Sequence, residues 1–158
     1  MIPRIYLETL YAEILASGFQ QLLRQYHFEL KCARYDFSPK EYDINMLIFQ
    51  SEKYNCNLLF VYPGGTVEVY IGPGSSNFDS NEWIRIDYLS SFFAQTAVVA
   101  WHGSSSSKPE VIIRDVLSIL AKMSLPFFEQ MLALFLYGDY KKQIATAKQY
   151  AVEKLQQK

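Results

Sequence analysis

Cysteine and histidine are both scarce in this chain: its 158 residues include two of each. Cys32 and Cys56 make no disulfide framework, so the core must hold the fold, and both are expected to be inert thiols in a reducing compartment. His27 and His102 lie far apart, and no Cys-x-x-Cys pair accompanies them. That excludes the close ligand spacing of a zinc site, and no metal or cofactor is expected. Long hydrophobic runs are missing too. The longest, residues 125–137, carries Pro126, Glu129 and Gln130, too short to span a bilayer and suited to a buried helix. Acids interrupt the apolar pattern of the opening MIPRIYLETLYAEIL, which therefore does not read as a signal peptide. A soluble cytoplasmic protein is expected.

Catalytic signatures are also lacking. Gly72-Pro73-Gly74-Ser75-Ser76 has no Lys followed by Ser or Thr, so it reads as a strand-exit turn and not as a phosphate loop. No nucleophile elbow is present, and the serines at 104–107 read as a connector. Asp36, Glu41 and Asp43 flank a turn, where solvated acids are common. His27 reads as an outward strand residue. His102, in Trp101-His102-Gly103, is the histidine placed to act as a general base if the protein is an enzyme.

What the chain has is apolar and aromatic surface. Half of its residues are hydrophobic, and it carries 12 Tyr and 11 Phe, enough for a folded core at this length. No repeat or long linker divides it, so residues 1–158 read as one domain.

Residues 45–74 carry the strongest pattern, three consecutive antiparallel strands. Gly64-Gly65 between two β-rich runs predicts a two-residue turn whose positive φ angles suit glycine. That turn sets Tyr62 opposite Val67, Phe60 opposite Val69 and Leu58 opposite Ile71. An even loop around Lys53-Tyr54 then places Phe49 opposite Leu58 and Leu47 opposite Phe60, all on one face. The other face holds Met46, Ile48, Leu59, Val61 and Tyr70, so both faces want covering, the second most simply by the chain's own helices. Alternation of Phe28, Leu30 and Cys32 with His27, Glu29 and Lys31 predicts a fourth, edge strand.

Helices flank the sheet in the sequence. Leu7, Leu10, Tyr11, Ile14 and Leu15 recur at helical spacing near the start. Asp87 is expected to cap a short helix with Leu89 and Phe92, and residues 96–101 fit either strand or helix. Ser107-Lys108-Pro109-Glu110 fits a capping box, and Ser124 with Pro126 opens the following helix. Asp139 opens a last helix with a stripe of Ile144, Ala147, Ala151 and Leu155, a tail that could dock only loosely. The fold class is therefore α+β: an antiparallel sheet of three to four strands (about 27–36, 45–51, 56–63 and 66–72), an N-terminal helix and several C-terminal helices.

Charge is uneven along the chain. Residues 36–87 hold eight acids against three basic residues, a net of −5, whereas the last helix from Asp139 carries a net of +3. The acidic segment disfavours nucleic acid, and it is rich in rings, including Tyr35, Phe37, Tyr42 and Phe78. Acidic, aromatic surface suits a protein partner, and a basic one. The leading expectation is a protein-binding or regulatory protein, of the kind that neutralises a basic toxin, with Tyr54, Glu68, Tyr70 and Trp83 as exposed contacts. Two alternatives stand beside it: a small-molecule-binding module with an aromatic pocket between sheet and helices, and an enzyme built around His102. A homodimer is compatible with any of these.

Overall fold

The apolar alternation builds a five-stranded antiparallel sheet whose spatial order follows the chain. A computed structural model describes residues 5–37, 43–75, 82–138 and 140–155. Its strands are β1 (Glu29–Phe37), β2 (Asp43–Ser51), β3 (Cys56–Tyr62), β4 (Glu68–Pro73) and β5 (Ile84–Arg85). The fifth exceeds the expected number because two residues are too few to show a period. Residues 38–42, the turn acid Glu41 and Tyr42 with them, lie outside the described residues, as do Phe78 and Asp139. The same holds for the side chains of Asp36, Asp43, Tyr35 and Phe37.

The register is the one predicted, with Phe49 opposite Leu58, Leu47 opposite Phe60, Phe60 opposite Val69 and Leu58 opposite Ile71. The β3–β4 connection differs. Pairing stops at Val61 and Glu68, so residues 63–67 form a wider loop, and Tyr62 does not pair with Val67. Gly64 and Gly65 still take φ of 106° and 80°, the left-handed region open to glycine. β1 is an edge strand, as expected, yet its alternation breaks. A bulge at Lys31 pairs Leu30 with Phe49 and Cys32 with Ile48, which puts Leu30 and Cys32 on opposite faces. His27 precedes the strand in a left-handed conformation, φ 61°.

Helices α1 (Ile5–Ala16), α2 (Phe19–Gln25), α3 (Ile86–Ala94), α4 (Pro109–Ser124), α5 (Phe128–Leu136) and α6 (Tyr140–Lys154) complete the fold. The apolar stripe of α1 buries Leu10 and Ile14, while Tyr11 stays over a third exposed with its ring stacked on Phe49. Gly18 separates α1 from α2. In α4 the expected capping box does not form: Lys108 is the cap residue, and its carbonyl accepts from the Val111 and Ile112 N–H groups. Ser124 with Pro126 opens a single 3-10 turn over Leu125–Phe127 that leads into α5, but the serine caps nothing through its side chain, because its hydroxyl donates back to the Leu120 carbonyl. Residues 96–101 are neither helix nor strand, save for one parallel bridge from Val98 to Leu155. No described helix is long and apolar enough to cross a membrane.

One main core forms between the first sheet face and the helices. Phe60, Leu58, Val69 and Ile71 meet Phe19, Leu117, Phe128 and Phe135 there, with Phe19 edge-on to Phe60 at 5.2 Å. The second face has a separate small cluster in which Leu59, Val61 and Trp83 are buried, flanked by Met46, Ile48 and Tyr70. Among the described residues no helical side chain joins it. Of the buried residues of α6 only Ile144 and Ala147 join the main core, while Ala151, with Leu155 beyond it, faces Trp83 across a cleft, so an indole and not a packed helix lies on Leu59 and Val61.

Candidate functional site

Trp83 reaches the second face because β4 offers it a seat. A Cβ on Gly72 would stand 2.5 Å from Trp83 Cδ2, so only glycine lets the indole lie flat against the strand. The ring is 7% exposed, which corrects the expectation of a surface anchor. Immediately after it, β5 pairs Ile84 with Ile71 and Arg85 with Tyr70, and the chain turns into α3.

Arg85, Asp87 and His102 lock this corner. Arg85 donates through Nε and Nη2 to the two carboxylate oxygens of Asp87, at 3.1 and 2.8 Å. Its Nη1 donates to Tyr88 Oη and to the Ala100 carbonyl, and the guanidinium lies 4.3 Å from the Tyr88 ring centroid. His102 Nε2 stands 3.1 Å from Asp87 Oδ2, and the His102 carbonyl accepts from the Thr66 hydroxyl. Asp87 therefore caps no helix. Burial pushes its carboxyl up, but the hydrogen bonds from His102 and Arg85 outweigh that and leave it below its ordinary value. Burial opposes the charge of Arg85 as well, and Asp87 more than restores it.

Beside this lock the C-terminal half of α6 closes a cleft of about 470 Å³. Tyr70, Trp83, Arg85 and Tyr88 form the sheet side, and Lys148, Ala151, Val152 and Leu155 the helix side. Contacts hold α6 in place at this end: Tyr150 donates to the Thr96 carbonyl at 2.6 Å, Phe92 meets the Tyr150 ring edge-on, and Val98 N–H donates to the Lys154 carbonyl. The lining is chiefly carbon with a few polar ends. Tyr70 donates to Glu68 at 2.5 Å; burial, with that carboxylate, holds its phenol well above the ordinary range. Burial lowers the Lys148 ammonium from its ordinary value.

The four expected contact residues do not form one patch. Glu68, Tyr70 and Trp83 gather on the second face, whereas Tyr54 sits half-buried at the β2–β3 turn, against Tyr26 on the helical side. His102 has the acidic neighbour that acid–base chemistry needs, but that acid is already bound by Arg85. Ser104, read as part of a connector, donates to Asp115. Sequence reasoning missed Arg85, Tyr88, Lys148 and Val152. The alternation Trp83-x-Arg85-x-Asp87 was the available signal for the first of these, and for Val152 its apolar character off the buried stripe of α6.

Among the described residues no three His, Cys, Asp or Glu side chains converge as metal ligands. No family model, curated protein or solved structure matches this chain.

Proposed function

We propose that the protein binds a small, predominantly apolar molecule with an anionic end in the cleft between β5 and α6. One observation carries this reading: a concavity of about 470 Å³ lined chiefly by carbon, with Lys148 and Arg85 as the two basic residues among its lining. Ligand sites are typically clefts of this size, with a few polar groups setting orientation. Trp83, seated on Gly72, and Arg85, clamped by Asp87, supply rigid walls.

A second reading, an apolar side chain of a protein partner entering the same cleft, is favoured by the 74% exposure of Val152 on the rim. Anilinonaphthalene sulfonate, aromatic and anionic, tests the first. Saturable one-to-one binding to the natively folded protein is expected, weakened about tenfold or more by Val152→Glu, which sets a like charge and a polar group at an exposed rim position. Absence of binding, or binding indifferent to Val152→Glu and to Ala151→Trp, refutes it.

A further inference from the structure

A second, smaller cavity lies on the helical side, away from the cleft, and its chemistry is of the opposite sign. An open hollow of about 190 Å³ lies among Tyr26, Tyr54, Tyr137, Leu132, Leu136 and Glu129. Tyr26 and Tyr54 pack edge to face, with centroids 5.7 Å apart and planes at 76°, and the Tyr26 ring is held from behind by Phe128 at 5.3 Å. Tyr26 donates its hydroxyl proton to Glu129 Oε1 at 3.2 Å, which leaves the second carboxylate oxygen outside that bond. Tyr137 is 80% exposed, a large ring at the mouth with most of its surface in water. Lys53 Nζ stands 5.6 Å from the Tyr54 centroid, so one face of this ring already carries a cation.

Aromatic faces carry the negative end of the ring quadrupole and attract cations, most strongly where the site is partly desolvated. Convergent rings with one carboxylate favour a soft, weakly hydrated cation, since its alkyl groups fill the apolar volume while its charge meets the rings and the acid. A compact inorganic cation would lose its water here without enough oxygen ligands to replace it. We infer that the Tyr26–Tyr54–Tyr137 cup, with Glu129, is a binding site for an alkylated ammonium group. This site is independent of the cleft, and its test can fail without touching that reading. A free quaternary amine and the methylated ammonium of a lysine side chain share this chemistry.

The probe is choline, titrated into the intact protein while the tyrosine ring resonances are followed, with its neutral tert-butyl analogue as the matched control. Choline should saturate and bind about tenfold more tightly than the analogue, because the two differ in charge and hardly in shape. Glu129→Gln and Tyr137→Leu change exposed side chains, so both variants should fold, and each should weaken choline binding by roughly threefold or more. N-acetyl-trimethyl-lysine methylamide distinguishes the sources: binding tighter than choline assigns the cup to a lysine side chain, weaker binding to a free amine. Equal binding of choline and its neutral analogue, no binding of either ammonium compound, or indifference to both variants overturns the inference.

Discussion

His102 Nε2 lies 3.1 Å from Oδ2 of Asp87, a carboxylate only 3% exposed, and Arg85 holds the same group through two hydrogen bonds. One buried anion thus ties the segment after α3 to β5 and to the start of α3. Removing its charge leaves Arg85 without its counter-ion in a largely buried place, and loss of one partner from such a pair is costly. Asp87→Asn should therefore lower unfolding stability by about 3 kcal/mol in urea denaturation. An unchanged midpoint would show that the three groups are not coupled.

The same carboxylate sets an acid limit. Its folded value lies below its ordinary one, so its contribution is complete above the unfolded carboxyl value. The contribution shrinks as pH falls through that value and is gone below the folded one. The stability gap between wild type and Asp87→Asn should be widest above the ordinary carboxyl range and narrow steadily as the pH falls through and below it. A gap that stays constant across this range contradicts the assignment.

Gly72→Ala tests the seat of Trp83. The added methyl would meet the indole at less than 3 Å, so the ring must leave the strand. Overpacking of this kind costs about 1–3 kcal/mol. Trp83 is buried and Trp101 is 58% exposed, so the emission spectrum should shift to the red in Gly72→Ala as the buried indole meets water. Binding of anilinonaphthalene sulfonate should weaken in parallel, because one wall of the cleft has moved.

Asn45 presents the opposite case, a polar group that burial does not reward. It is fully buried on β2, opposite Tyr62, and among the described residues neither its amide oxygen nor its nitrogen has a hydrogen-bond partner. Replacing an unsatisfied buried amide by a β-branched apolar side chain should stabilise the strand by about 1 kcal/mol or more. Asn45→Val should raise the melting temperature, and a lowered one would mean that the amide is satisfied in solution.

Much of the sheet was legible because its information is local. Leu47, Phe49, Leu58 and Phe60 repeat with period two, and that period fixes which face each occupies. The bulge at Lys31 was not legible, since a one-residue slip is decided by which cross-strand hydrogen bonds the neighbour offers. Asp87 looked like a helix cap because a carboxylate before an apolar run usually is one. It serves as counter-ion instead, since Arg85, two residues earlier, and His102, fifteen later, both reach it.

By itself, then, the sequence determined the α+β class, the strand register from residue 45 to residue 71, the edge position of β1 and the presence of flanking helices. Each follows from spacing along the chain, through the periods of two and 3.6 residues that backbone geometry imposes. Only the tertiary structure decided what covers the second sheet face, where the cleft opens and which tyrosines share a cup. Those depend on residues from separate segments meeting in space: Trp83 on Gly72, Tyr70 across from Lys148, Tyr26 against Tyr54 and Glu129. No periodicity encodes such meetings, because each joins separate segments of the chain and the pattern of any one segment carries no information about its partner.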